Sequence, residues 1–438
     1  METDFASLTR KIQRISPFSR FGKVVKVNES ELHLKGVTPE TQLGDAILLS
    51  LSNGDILGGE IVSLTGDHAV AMTYAPCRGV ALGDLVEIRA PQPLCPHLSW
   101  RGRIIDAFGA PLDGRPLANG PNETPLHRKP PPAATRRRLG VRLQTGMRCL
   151  DTLLPIVEGQ RIGLFAGSGV GKTTLLATMA KKVPADVIVC ALIGERGREL
   201  RAFVEDALGP EGLERAIVVT ATSDQSPLIK RRAAYTAMAV AEYFCAQGMH
   251  SLLLMDSVTR FAEAHREIAL MAGEPPSLRA YPPSTAHLIS SLIERAGPGP
   301  EGAGMISAVF SVLVAGSDME EPVADMTRGC LDGHIVMDRT IAERGRFPAI
   351  DLLKSVSRSL PEAATEGENK LIADARRMLS KYEQAEPMLQ TGLYSSGADK
   401  ETDRAIKIFE NLDSFLGQAT DEPIQSSFHA LRRILAAS

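Results

Sequence analysis

The chain has 438 residues, which at roughly 150 residues per domain predicts about three domains. Hydrophobic residues make up 44% and charged residues 23%, as in an ordinary globular protein, and the formal net charge is -3. This balance argues against a generally basic nucleic-acid binder, and an aromatic fraction of only 5% argues against base-stacking surfaces. We therefore expect no nucleic-acid partner.

The six cysteines form no Cys-x-x-Cys pair and have no histidine pair beside them. This argues against a zinc site or a disulfide framework and favours reduced thiols in the cytosol. The longest apolar run, Val187–Ile193, has seven residues, whereas a membrane span needs about 20. The first residues contain no apolar signal-peptide core, so we expect a cytoplasmic protein.

The N-terminal part of the chain divides into three segments. Residues 1–20 carry apolar side chains at helical spacing and predict an amphipathic segment. This segment is a frayed terminus, a helix that caps the first domain, or a helix that docks a partner or a membrane surface. Residues 21–90 contain six short β-branched stretches separated by turns, which predicts a small β-barrel. The Pro-, Gly- and Arg-rich residues 91–145 predict a linker, and the basic run Arg136–Arg138 within it is interpreted as solvated, because no aromatic residue interleaves it.

The rest of the chain predicts two further domains. Apolar strands alternate with helical segments over residues 146–360, which predicts a parallel sheet covered by helices on both faces. Two helix starts are marked by Ser226, which precedes a proline, and by Ser284, which follows two. Strand patterns stop near residue 360, and residues 361–438 predict a small α-helical domain.

The strongest motif is a glycine-rich loop between a predicted strand, Arg161–Phe165, and a predicted helix, Thr174–Lys182. In this context backbone N–H groups turn toward phosphate oxygens, and the helix N-terminus adds a favourable dipole. Lys172 would bridge the β- and γ-phosphates of a nucleotide, and the Thr173 hydroxyl would bind Mg²⁺. Ala166 stands where such loops usually have their first glycine, a position that needs a small residue more than a positive φ. The predicted nucleotide-binding residues of the loop are Gly167, Ser168, Gly169, Val170, Gly171, Lys172, Thr173 and Thr174.

Two acidic residues follow apolar strands. Asp256 ends the run Ser251–Met255, a Walker B pattern whose carboxylate would hold a water on Mg²⁺. Glu195 follows Val187–Ile193 and is the candidate for orienting and polarising an attacking water. The competing interpretation of Glu195 is a solvated charge cluster in a loop.

These residues and five further motifs carry a resemblance. The chain resembles the catalytic subunits of rotary ATP synthases and, more closely, the ATPases of type III protein export, from about residue 20 to the C-terminus. The resemblance implies a RecA-like P-loop core between the β-barrel and the helical domain. The sequences at 163–169 and 194–199 resemble the export branch rather than the synthase β-type subunits, and the chain is short, with a compact C-terminal domain. Within the export branch, the flagellum-specific ATPases are the first choice and the injectisome ATPases the second. The further motifs are Gly194–Glu199, Tyr281–Ser284, Glu294–Gly297, Leu331–Val336 and Pro348–Asp351.

The resemblance implies roles for individual residues. Glu195 matches the glutamate that activates the attacking water, and Arg196 matches a partner near the phosphates. Glu199 matches a member of the Mg²⁺ shell, together with Thr173 and Asp256. Arg260 is implied to lie near the γ-phosphate.

Three other residues have implied roles with open alternatives. Arg358 matches an arginine finger presented to a neighbouring subunit, with a surface salt bridge as the alternative. Phe347 matches the aromatic residue that packs on adenine, with a core phenylalanine as the alternative. Tyr394 is a weaker adenine candidate.

The resemblance implies Mg²⁺-dependent ATP hydrolysis by a homohexameric ring that energises the export of flagellar proteins. The implied partners are a regulatory stator-like protein at the N-terminus, a coiled-coil stalk protein, export chaperones and the membrane export gate. The implied location is cytoplasmic, with peripheral association with the inner-membrane export apparatus. Four alternatives are an injectisome ATPase, a rotary ATP synthase catalytic subunit, a hexameric RNA translocase, and a ring scaffold that binds nucleotide without hydrolysing it.

Overall fold

The computed structural model describes residues 18–314 and 319–437. The amphipathic segment predicted for residues 1–20 lies, apart from its last three residues, outside this part of the chain. None of the helices in the two described ranges combines the length and the apolar character needed to span a bilayer.

The first domain is a closed antiparallel β-barrel of six strands in the order β1-β2-β5-β4-β3-β6, which confirms the predicted barrel. Alternate side chains point inward, so that Leu32, Leu34, Ile47 and Leu49 fill the barrel while their neighbours face outward. A Cβ atom at Gly59 would lie 2.2 Å from the carbonyl oxygen of Met72, so the close approach of β4 to β5 at this point requires glycine. The strands are β1 Arg20–Val27, β2 Glu31–Lys35, β3 Ala46–Ser50, β4 Ile56–Thr65, β5 His68–Thr73 and β6 Leu85–Arg89.

The central domain is built on a nine-stranded sheet in the order β15-β14-β8-β13-β11-β9-β10-β7, with β12 paired to β13. The strands from β14 to β7 are parallel, whereas β15 runs antiparallel to β14. The inner strands are buried on both faces, which explains their continuous apolar sequences. The strands are β7 Arg103–Ile105, β8 Arg161–Ala166, β9 Val187–Glu195, β10 Ala216–Thr222, β11 His250–Asp256, β12 Gly297–Pro298, β13 Met305–Leu313, β14 Gly333–Met337 and β15 Ile350–Ser357.

Helices cover both faces of this sheet, so the predicted α/β core is confirmed. Pro227 occupies the first turn of its helix as predicted, but the Ser226 hydroxyl makes no capping hydrogen bond. Ser284 is the first residue of its helix, and its hydroxyl donates to Glu274 Oε2 at 2.6 Å. The helices are α1 Arg148–Thr152, α2 Lys172–Lys182, α3 Gly197–Ala202, α4 Gly209–Arg215, α5 Pro227–Ala246, α6 Val258–Met271, α7 Ser284–Ile293, α8 Pro322–Gly329 and α9 Arg339–Glu343, with a π-helical segment at Phe203–Leu208.

The segment predicted as a linker contributes to the central core. Its strand β7 extends the parallel sheet beside β10, and Trp100 is buried, with its indole Nε1 donating to the carbonyl oxygen of Ala118 at 2.7 Å. The interpretation of the basic run as solvated is wrong for Arg136, which donates to the carbonyl oxygens of Ala296, at 2.8 Å, and Glu294. Arginine fits here because its planar donors reach two carbonyls at once.

The chain ends in three helices, α10 Glu366–Gln390, α11 Lys400–Leu416 and α12 Ile424–Ala436, as the fold prediction expects. The first of these helices begins at a capping box formed by Thr365 and Glu368. The apolar faces of α10 and α11 join the same hydrophobic cluster as the strands and helices of the central domain.

A buried ion pair ties the central domain together. Arg295 Nε and Nη2 each donate to a Glu242 carboxylate oxygen at 2.8 Å, and Arg295 Nη1 donates to the carbonyl oxygen of Leu126 at 2.7 Å. Both charged side chains are almost fully buried, at 2% and 8% exposure. Their charges are therefore compensated by each other rather than by water.

We expect Glu242→Ala to lower the free energy of unfolding by about 3–5 kcal/mol, because it leaves the Arg295 guanidinium buried and unpaired. The control is Glu343→Ala, which removes an exposed pair with Arg339 and is expected to cost less than about 1 kcal/mol. Urea unfolding monitored by circular dichroism measures both. Equal losses for the two variants would contradict this account of the core.

Candidate active site

The candidate site lies where parallel strands end at one edge of the sheet. Strand β8 leads into the glycine-rich loop, β11 ends at Asp256 and β9 ends at Glu195. In the sheet, β13 separates β8 from β11, and β9 lies directly beside β11, with Asp256 in register with Leu192. Because the carboxyl ends of parallel strands share an edge, the topology brings these three segments together.

The glycine-rich loop has the backbone that its sequence predicts. Gly169 and Gly171 have φ values of 79° and 89°, in the left-handed region that favours glycine. Ala166 is the last residue of β8 and therefore has no need of a positive φ, which explains why alanine is accepted there. Helix α2 begins at Lys172, two residues before the predicted start, so its N-terminus faces the loop.

The loop lysine and the Walker B aspartate are in direct contact. Lys172 Nζ donates to Asp256 Oδ1 at 2.5 Å, and the Ser311 hydroxyl donates to the same oxygen at 2.7 Å. Asp256 is only 4% exposed, so it is fixed between these two donors. Ser311 was not singled out by the sequence analysis, although a serine inside the apolar strand β13 is the signal that could have indicated it.

Glu195 shares the cleft with this pair. Burial, then the negative charge of Asp256 and a hydrogen bond with Glu199, raise the pKa of Glu195 to about 7, and the charge of Lys172 opposes the rise. A carboxyl group with a pKa near neutrality can exchange a proton during a reaction at that pH. The alternative of a solvated loop cluster does not describe this half-buried side chain.

Gly194 sets the position of Glu195 relative to helix α6. Its φ is 72°, and a Cβ atom there would lie 2.9 Å from Cγ of Arg260. The glycine therefore lets the arginine side chain cross the end of β9. Arg260 Nη1 donates to Glu263 Oε2 at 2.8 Å, on the rim of the same cleft.

Together these residues line one open cleft with a volume of about 840 Å³. Arg196 and Glu199 lie on its rim, both well exposed, with 3.9 Å between Nη1 and Oε1. The sequence analysis missed several polar residues of the lining, because they come from loops and helix faces without a recognisable motif: Ser223, Lys230, Glu263 and Glu267. The predicted residues that line the cleft are Gly167, Ser168, Gly169, Gly171, Lys172, Thr173, Glu195, Arg196, Glu199, Asp256 and Arg260.

Some predicted residues lie outside this lining. Val170 is buried, and Thr174 is exposed in the first turn of α2. Phe347 is 52% exposed and lies close to the loop, since a Cβ atom at Gly171 would be 3.3 Å from its ring. Tyr394 donates its hydroxyl to Asp403 Oδ1 at 2.9 Å in the C-terminal helical region.

Arg358 lies at the opposite end of the parallel strands, beside the starts of β14 and β8 rather than beside the glycine-rich loop. Strand β15 is antiparallel to β14, and Ser357 is in register with Gly333 at the start of β14. His334, the next residue of β14, pairs with Gly163 near the start of β8. The exposed Arg358 is therefore separated from its own glycine-rich loop by the length of β8, about 17 Å at roughly 3.3 Å per residue.

Within the described ranges, no group of three or more His, Cys, Asp or Glu side chains is placed to hold a metal ion by itself. The six cysteines are free thiols. The fold and the site define a P-loop nucleotide-binding protein with a RecA-like core.

Comparisons with known proteins agree with this class. Residues 146–357 match the ATP synthase alpha/beta family, nucleotide-binding domain, and residues 364–434 match the T3SS EscN ATPase C-terminal domain. The chain is 44% identical to a flagellum-specific ATP synthase of Caulobacter vibrioides, over 98% of this chain and 99% of that protein. It is 42% identical to the flagellum-specific ATP synthase of Bacillus subtilis, over 97% of each chain. It is 39% identical to a type 3 secretion system ATPase of Xanthomonas euvesicatoria, over 95% and 94%.

Solved structures of the same kind are similar. The assembled ATPase EscN from the enteropathogenic E. coli type III secretion system superposes with a TM-score of 0.86 at 33% identity, over 94% of this chain and all of that one. EscN in complex with its central stalk EscO gives a TM-score of 0.84 at 34% identity, with the same coverage. The chain belongs to the family of flagellum-specific and type 3 secretion ATPases, and it is an ATPase, as the resemblance predicted.

The electrostatics of the cleft predict how the pKa of Glu195 responds to its neighbours. We expect Glu199→Gln to lower this pKa for two reasons. The new amide can donate a hydrogen bond to the ionised Glu195 carboxylate, and the substitution removes the negative charge of Glu199. Lys172→Ala is expected to raise it, because a nearby positive charge is lost. Infrared titration of the carboxyl band that disappears in Glu195→Gln measures both shifts, and shifts of the opposite sign would contradict this geometry.

Proposed function

We propose that this chain hydrolyses ATP with Mg²⁺ in a homohexameric ring and thereby energises the export of flagellar proteins. One observation carries the catalytic part of the proposal. Lys172, Asp256 and Glu195 meet in a single cleft, whereas Arg358 lies at the far edge of the same sheet. With Arg358 assigned to the site, a second copy of the chain is required to complete it in this proposal.

The residues of the cleft have distinct tasks in this proposal. Lys172 exchanges its contact with Asp256 for the β- and γ-phosphates, while backbone N–H groups of the loop and the N-terminus of α2 bind phosphate oxygens. Glu195 accepts a hydrogen bond from the attacking water and takes its proton as the water bonds to the γ-phosphorus and the bond to ADP breaks. No covalent enzyme intermediate is required. Arg196 binds a phosphate oxygen from the rim.

The donors present in the cleft suit Mg²⁺. The Thr173 hydroxyl would bind the ion beside the loop, and the Asp256 carboxylate would hold one of its water molecules. Glu199 would add a further hard oxygen donor on the rim. The described residues form no closed cage of metal ligands, which fits Mg²⁺, since this ion usually takes few protein ligands and completes its shell with water and phosphate oxygens. When bound, the ion neutralises charge on the β- and γ-phosphates.

Arg358 completes the site of the neighbouring subunit as an arginine finger. Its planar, permanently charged guanidinium suits the charge that develops on phosphoryl oxygens. A head-to-tail contact repeated around a closed ring gives every cleft one such arginine. The similarity to EscN, which has been solved as an assembled ATPase, supports this arrangement.

Several finer assignments belong to the same proposal. The flagellum-specific names of the relatives at 44% and 42% identity favour flagellar over injectisome service. The complex of EscN with its central stalk supports a coiled-coil stalk partner here. We assign three further partners: a regulatory stator-like protein that binds the N-terminus, export chaperones, and the membrane export gate. We place the protein in the cytoplasm, at the inner-membrane export apparatus. Phe347 is assigned to pack on adenine.

We expect Glu195→Gln to lower kcat by about 10²–10⁴-fold, the range lost with a positioned general base, while ATP binding is kept. Phosphate release measures turnover, and a fluorescent ATP analogue measures binding. The control is Glu343→Gln, which changes an exposed carboxylate outside the cleft and should leave both values unchanged. Unchanged turnover in Glu195→Gln would remove this residue from the mechanism, and absence of turnover in the unaltered protein would favour the nucleotide-binding scaffold.

We expect Arg358→Ala to lower kcat by roughly 10³–10⁵-fold, because it removes the charge that stabilises the transferring phosphoryl group. Arg339→Ala, which removes an exposed arginine held by Glu343, is the matched control. Steady-state hydrolysis by the assembled protein tests the difference. Full activity of Arg358→Ala would contradict the finger assignment.

A further inference from the structure

Two of the family-like motifs have no task in the mechanism above, yet they meet beside Arg358. Glu294 begins the first motif, at the end of α7, and Asp332 lies in the second, just before β14. Both side chains contact Arg161, the first residue of β8. This cluster lies at the starts of β8 and β14, away from the glycine-rich loop. Arg358 lies at the same end of the strands.

Asp332 is held in one orientation by a single partner. Arg161 donates to its carboxylate from Nε, from Nη2 and from the backbone nitrogen, each at 3.0 Å. The Asp332 backbone nitrogen in turn donates to the carbonyl oxygen of Arg161 at 2.9 Å. Arg161 is fixed from its other side, with Nη1 at 2.7 Å from Glu294 Oε2. A planar guanidinium bound on two sides leaves Asp332 little freedom to move.

The backbone of Asp332 holds the backbone of Arg358. The carbonyl oxygen of Asp332 accepts a hydrogen bond from the Arg358 nitrogen at 3.0 Å and another, also at 3.0 Å, from Nε2 of the buried Gln160. At the neighbouring Gly333, a Cβ atom would lie 2.5 Å from the carbonyl oxygen of Val356, so glycine permits this close approach of β15. A backbone hydrogen bond therefore ties Arg358 to Asp332, and hydrogen bonds from Arg161 in turn hold the Asp332 carboxylate.

We propose that Asp332 and Arg161 are positioning residues that hold Arg358 in place for the active site of the neighbouring subunit. The inference rests on the proposed finger role of Arg358. Neither residue lines the cleft of its own subunit, so their effect on hydrolysis passes through the backbone of Arg358. The reaction rate depends strongly on the placement of catalytic groups, since a misplacement of about 1 Å can lower the rate about 10²-fold.

The first test is the split between turnover and binding. We expect Asp332→Asn, which weakens the paired hydrogen bonds from Arg161, to lower kcat by about 10–10²-fold while ATP affinity is unchanged. Arg161→Lys keeps the charge, loses the planar fork and is expected to do the same. The matched control is Asp374→Asn, which weakens an ion pair with Arg404 in the helical domain and should leave turnover unchanged. Unchanged turnover in both Asp332→Asn and Arg161→Lys would overturn the proposal.

Mixed assemblies separate positioning of the finger from a general structural defect. Subunits with Lys172→Ala lack their own phosphate site but keep a normal finger, whereas subunits with Asp332→Asn keep their own phosphate site. In a random one-to-one mixture, about a quarter of the interfaces pair an intact phosphate site with an intact finger. We therefore expect the mixture of these two impaired variants to be more active than either alone.

The benchmark is the mixture of Arg358→Ala with Lys172→Ala. Rescue of the Arg358→Ala mixture without rescue of the Asp332→Asn mixture would overturn the positioning role and leave the finger role standing. Failure of both mixtures would overturn the finger acting between subunits and this inference with it. Recovery of both is the expected result.

Discussion

The contact between Lys172 and Asp256 is the interaction on which the proposed catalytic arrangement depends. It joins the residue after the glycine-rich loop to the end of a strand 84 positions further along the chain. The contact exists because β8, β13, β11 and β9 are parallel and end at one edge, so that distant segments deliver their terminal side chains to one cleft. The low exposure of Asp256 strengthens its interaction with both Lys172 and Glu195, since few water molecules screen these charges.

The direction of one strand underlies the proposed sharing of each active site between two subunits. A parallel β15 would deliver Arg358 to the edge that carries the phosphate loop, whereas the observed antiparallel β15 delivers it to the opposite edge. In the proposed mechanism, the group assigned to bind the phosphates and the group assigned to stabilise their transition-state charge therefore lie at opposite ends of the strands. If these roles hold, hydrolysis depends on assembly, because an isolated subunit has only part of a site.

Much of this architecture could be predicted from local sequence. Short β-branched stretches separated by turns predicted the six barrel strands. Continuous apolar runs predicted the parallel strands, because these strands are buried on both faces. The glycine-rich loop could be predicted because its backbone conformation requires glycine at positions 169 and 171.

What sequence reasoning missed depends on contacts between distant segments. The edge strand β7 has only three residues and no pattern of its own, and it forms because β10 offers it a free edge. Arg136 was interpreted as solvated because nothing local indicates the carbonyl groups that bind it. Ser311 and Asp332 likewise gain their places from pairing across the sheet rather than from neighbours in the chain.

The central claim is that one nucleotide binds among Lys172, Asp256 and Glu195 and is completed by an arginine from an adjacent copy. A structure of the assembled chain with Mg²⁺ and a non-hydrolysable ATP analogue tests it directly. The account predicts that Lys172 leaves Asp256 for the phosphates and that Arg358 of the neighbouring subunit reaches the γ-phosphate. A nucleotide bound in this cleft with every Arg358 remote from its phosphates would contradict the account.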